Sequence, residues 1–150
     1  MQNEFTDLLE TAIYKEIASE ALYAAMKDRT ADPGARELMA ALAAEEKRHA
    51  RWLTELRDNG RNRRWREDVI RDLKISEHIA GGESLEGAGL QDALIFAMKK
   101  EQYAIDFYSR MTRALRTEAA RKLCKRLVTQ ELGHKLKLEI MYDQMFLGEN

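Results

Sequence analysis

The chain is short of most of what metal and redox proteins commonly use. It has one cysteine, Cys124, in 150 residues. That excludes an internal disulfide and any centre built on paired thiolates, a zinc ribbon or a rubredoxin-type site among them. One proline and eight glycines leave few places for a helix to break. Aromatic residues are 7% of the chain, and histidines number three. No uninterrupted apolar run approaches the roughly 20 residues of a membrane span, and the opening MQNEFTDLLE has no basic stretch leading into an apolar core. A soluble, cytoplasmic protein without a membrane partner is expected. A formal net charge of −1 offers no global attraction for nucleic acid, which is excluded as a partner on the same reasoning.

What is present is helix. Hydrophobic residues make up 45% and charged residues 34%, a balance that suits amphipathic helices around one core. A single all-α domain over residues 1–150 is expected. Leu9, Ala12, Ile13, Ile17, Ala21 and Ala24 recur at helical spacing and predict a first helix from about Asn3 to Arg29. TADPG stops it. Asp32 reads as an N-cap with Pro33 in the first turn of a second helix, which carries Leu38, Met39, Leu42, Leu53 and Leu56 and ends at Asn59-Gly60. A third helix from about Leu90 to Leu115 and a fourth from Thr117 to Phe146 are joined by the short LRTEA turn. The expectation is two antiparallel hairpins, about 3–59 and 89–147, with a long crossover over 60–88.

The hairpins repeat each other at an offset of 85 residues without a gap. Glu16 matches Glu101, Tyr23 matches Tyr108, Ala35-Arg36 matches Ala120-Arg121, Leu42 matches Leu127, Glu46 matches Glu131 and His49 matches His134. The likeness persists where polar residues interrupt an apolar face. Glu16 shares its face with Leu9, Ala12, Ile13 and Tyr23, and Glu46 with Met39, Leu42, Ala43 and Leu53. Glu101 falls among Leu94, Ala97, Met98, Ile105 and Tyr108, and Glu131 among Cys124, Leu127, Val128 and Leu138.

Position along the hairpins explains the spacing. Glu16 and Glu46 are thirty residues apart with their midpoint at Ala31, in the turn, so each lies about 22 Å from the same end. Glu101 and Glu131 are also thirty apart, centred on Arg116. Four buried carboxylates at one level would repel strongly, and two divalent cations would cancel their charge. His49 and His134, one turn beyond Glu46 and Glu131, can each cap an ion without adding charge. One Glu from each of two helices plus Glu-x-x-His from each of the other two is the ligand pattern of ferritin-like di-iron and di-manganese four-helix bundles. Oxygen and imidazole donors favour iron or manganese, with zinc also able to enter.

The segments AIYKEIASEALYAA, ALAAEEKRHA, FAMKKEQYAIDFY and LVTQELGHKL resemble the rubrerythrin family, and the resemblance covers essentially the whole chain. It implies a ferritin-like four-helix bundle holding two non-haem iron ions. Carried over by position, the ligands are Glu16, Glu46, His49, Glu101, Glu131 and His134. The activity it implies is oxidoreduction in oxidative-stress defence, with hydrogen peroxide or dioxygen reduced; relatives in the ferritin group oxidise and store iron, so a non-catalytic iron-binding or storage protein is the alternative. Two departures matter. Full-length rubrerythrins carry a rubredoxin-like domain, so here an external electron donor, or ferrous iron itself, is expected. They also carry a further glutamate three residues after the helix-3 ligand, where this chain has Ala104, with Ser19 in the matching place of helix 1. Because each hairpin holds half the ligands, a homodimer is expected, with exchange of hairpins between chains as one way to build it.

The remaining polar residues have plainer readings. Tyr23 and Tyr108 serve equally well as hydrogen-bonding neighbours of the ligands or as core. Glu20 and Glu45 are read as solvated or ion-paired, and Cys124 as a buried core thiol. His78 has Ile75, not an acid, three residues before it, and the basic cluster Arg57, Arg61, Arg63, Arg64, Arg66 with Trp65 reads as a solvated linker or a subunit contact.

Overall fold

A computed structural model of the chain describes residues 4–58 and 87–148. The crossover expected over 60–88, with His78 and the arginines from Arg61 to Arg66, lies almost wholly outside the described residues. Within them the chain is all-α: α1 (Glu4–Arg29), α2 (Pro33–Asp58), α3 (Ala88–Ala114) and α4 (Glu118–Phe146). The helices pack as two hairpins, α1 with α2 and α3 with α4, in two compact units, Met1–Glu86 and Gly87–Asn150.

The starts of the last three helices have local features that suit them. Asp32 caps α2 through its Oδ2, which accepts from the Ala35 backbone N–H at 2.8 Å, as its place before Pro33 implies. Thr117 caps α4, accepting from Ala120 N–H at 3.4 Å. Gly87 precedes α3 at φ +50°, a left-handed conformation that favours glycine.

The turns explain why Ala35-Arg36 and Ala120-Arg121 repeat. Arg36 Nη1 reaches back to the Lys27 and Thr30 carbonyls at 2.7 and 3.1 Å, and Arg121 Nε donates to the Leu115 carbonyl at 2.6 Å. Each arginine thus satisfies carbonyls at the C-terminal end of the preceding helix and complements its dipole. Ala35 and Ala120 beside them are fully buried, leaving room for the helices to close on a three-residue turn.

The buried faces follow the apolar stripes with one difference. Ala24 and Leu56, counted as core from periodicity, are exposed, and Ala21 is half-buried. On α1 the buried face turns from Ile13 and Ile17 to Leu22, Tyr23 and Met26. That is the behaviour of a helix crossing its neighbour at an angle, where no single line of residues stays in contact.

Candidate metal centre

The first hairpin brings one trio together. Glu16 rises from α1 and Glu46 and His49 from α2, at the same distance from the turn. His49 Nδ1 stands 3.5 Å from Glu16 Oε1 and 3.3 Å from Glu46 Oε1. The second hairpin does the same with Glu101 from α3 and Glu131 and His134 from α4. His134 Nδ1 is 3.5 Å from Glu101 Oε1 and 3.2 Å from Glu131 Oε1. All six side chains are buried, with residue exposures of 0–2%. Each hairpin closes its own set of two carboxylates and one imidazole.

The spacing fits ligands of a common ion. These separations are longer than the roughly 2.7–2.9 Å of a charge-assisted hydrogen bond. Donor atoms about 2.1 Å from one first-row ion, at tetrahedral or octahedral angles, stand roughly 3.0–3.5 Å apart. Charge points the same way. A protonated histidine offsets one of the two carboxylates beside it, whereas a divalent cation offsets both, and buried charge left unbalanced costs several kcal/mol. The donor set contains only oxygen and nitrogen, which suits iron or manganese. The residues fit the metal.

The surroundings are apolar and small. Tyr23 and Tyr108 are buried on the ligand faces, as are Leu9, Ile13, Met39, Leu42, Leu94 and Leu127. Ser19 and Ala104, three residues after Glu16 and Glu101, are both 8% exposed and bring no further carboxylate. Glu20, Glu45 and Gln130 are only half-buried, outside the buried trios. Burial holds the Cys124 thiol up at about 11, so it is a neutral core group.

Sequence reasoning missed one neighbour. The Trp52 ring lies 5.6 Å from the His49 ring, centroid to centroid, with the planes tilted by 30°. Its position three residues after His49 would have shown the contact, since residues so spaced share a helical face. In the repeat this place is Lys137, so the two trios have different flanks.

Comparison with known proteins agrees with the geometry. Residues 7–142 match the family model described as Rubrerythrin. A hypothetical protein from Pyrococcus furiosus is similar in structure, with a TM-score of 0.70 at 24% identity over 97% of this chain and 92% of that one. At that identity the likeness speaks for the fold alone. No curated protein matches the chain.

Proposed function

The chain belongs to the rubrerythrin family, and from that premise we propose that it is a non-haem di-iron oxidoreductase that reduces hydrogen peroxide or dioxygen in the cytoplasm. The observation that carries this reading is the duplicated trio: two buried carboxylates and one imidazole in each hairpin, His Nδ1 to Glu Oε at 3.2–3.5 Å. In the proposal Glu16, Glu46 and His49 of the first hairpin and Glu101, Glu131 and His134 of the second would be the residues that hold the iron.

Bound iron supplies the electrons and the open coordination positions for an oxidant. The chain supplies the rest. Four carboxylates neutralise two divalent ions, the histidines add donors without charge, and the apolar residues around them keep bulk water out. Peroxide takes up two electrons and two protons to give two waters, and the electrons return from a separate donor. Manganese fits the same donors and is redox-active, whereas zinc fits them but has no redox chemistry and could not fill the role.

The test is anaerobic loading with ferrous iron, followed by hydrogen peroxide and an external reductant. Sustained peroxide consumption, limited by reductant and lost in Glu46→Ala, is expected. Accumulation of many irons per chain without peroxide turnover would replace this reading with iron storage.

A further inference from the structure

The two trios match, but their neighbours do not. The Trp52 ring packs 5.6 Å from the His49 ring with the planes tilted by 30°, whereas the matching place in the second hairpin holds the exposed Lys137. The second hairpin closes the same trio without an indole, so the fold does not require one there. Trp52 also differs from the tyrosines on the ligand faces: Tyr23 and Tyr108 are sealed in the core at 0 and 1% exposure, while Trp52 is half-buried. It reaches from a buried candidate ligand to solvent. The indole has the most electron-rich face of the natural aromatic rings and gives up an electron without first losing a proton. A phenol must also shed its proton, for which a sealed apolar core has no acceptor.

We propose that Trp52 supplies an electron to the reaction: when hydrogen peroxide meets a site that holds a single ferrous ion, the indole gives the second electron that the peroxide needs. The step balances. Peroxide takes up two electrons and two protons, its O–O bond breaks, and two waters form. One electron leaves the ferrous ion, which becomes ferric, and the other leaves the Trp52 ring through its contact with His49. The oxidised indole releases its Nε1 proton, which supplies one of the two protons consumed, and solvent supplies the other. A one-electron reductant in solution, such as ascorbate, then refills the ring from its exposed side.

The benefit is protection. With only one electron available, a lone ferrous ion splits peroxide into hydroxide and a hydroxyl radical, which attacks whatever side chain is nearest. A second electron from Trp52 takes the oxidant all the way to water, and the lasting damage is avoided once the ring is refilled. The inference rests on the reading of the trios as an iron centre, and it adds a group that this reading leaves unused.

The test uses the full chain loaded anaerobically with one ferrous ion per chain, then mixed with one equivalent of hydrogen peroxide and a nitrone spin trap. Peptide mass spectrometry locates the trapped radical. Wild type is expected to carry the trap on Trp52 and not on Trp65, the other tryptophan of the chain, and to lose the adduct when ascorbate is added or zinc replaces iron. Trp52→Phe keeps a ring in that place without the readily lost electron, and should release several-fold more trapped hydroxyl radical at unchanged iron content. Trp52→Tyr, oxidisable again, should bring that release back toward wild type, whereas a role in packing alone would leave all three proteins alike. Trap shared equally between Trp52 and Trp65, or equal hydroxyl radical from wild type and Trp52→Phe, would overturn the proposal. A chain that takes up no iron defeats the iron reading and this inference with it, while one that takes up iron and leaves Trp52 unmarked defeats the inference alone. Should Trp52→Phe misfold, the position of the trap on wild type decides.

Discussion

Glu46 and His49 show how one helical turn can hold two different roles. Both are buried on α2, and their facing atoms are 3.3 Å apart. In the proposed centre Glu46 would supply negative charge as well as a donor atom, and His49 a neutral donor alone. Glu46→Ala is therefore expected to lose more metal than His49→Ala, as read by metal analysis after dialysis. Equal losses in the two variants would contradict the part given to the carboxylate's charge. Cys124 makes a separate prediction. Its thiol is raised by burial to about 11 from an ordinary value near 9. The folded state thus keeps the proton to higher pH than the unfolded one. Stability from this group is complete below about pH 9 and declines toward pH 11, by about 2 kcal/mol in order of magnitude. Thermal melts across that window should fall more steeply for wild type than for Cys124→Ala; parallel curves would show that the thiol is not what titrates.

At the scale of the element, the helices were largely legible in the sequence because their limits are local. Asp32-Pro33 announces a start, and Asp32 Oδ2 does cap Ala35 N–H. The two trios were legible too, since thirty residues across a tight turn and three along a helix fix which side chains meet within each hairpin. What escaped was side-chain reach across turns. The Arg36 and Arg121 bonds to carbonyls six to nine residues earlier have no periodic signature, although the repeat marked both arginines. The exposed stripe of α4, Leu132, Leu136 and Ile140, escaped for the opposite reason, because counting apolar residues assigns them all to a core. Gly133 offers a test at this scale. It sits inside α4 between Glu131 and His134, and a Cβ there meets nothing within 4 Å. Gly133→Ala should stabilise the protein by about 0.5–1 kcal/mol, raising Tm by roughly 2–4 °C, with metal content unchanged. A lower Tm would mean that α4 needs the glycine.

For the whole molecule, two copies of one hairpin have diverged on their outer surfaces while keeping the same buried trio of two glutamates and a histidine. Trp52 flanks His49 where Lys137 occupies the matching place, and Lys47, Arg51 and Glu55 answer to Leu132, Leu136 and Ile140. Selection on solvation or partners can act on those surfaces separately, whereas losing one acid from a buried trio would remove charge that the proposed metals require. The family match over residues 7–142 and the paired trios rest on different grounds and lead to the same reading. Its central claim is a two-metal centre, and elemental analysis of anaerobically purified protein tests it most directly. The account predicts two ions per chain, iron foremost, falling to near zero in the Glu46→Ala, Glu131→Ala double variant. Metal-free wild type after ferrous loading, or full metal content in the double variant, would contradict it.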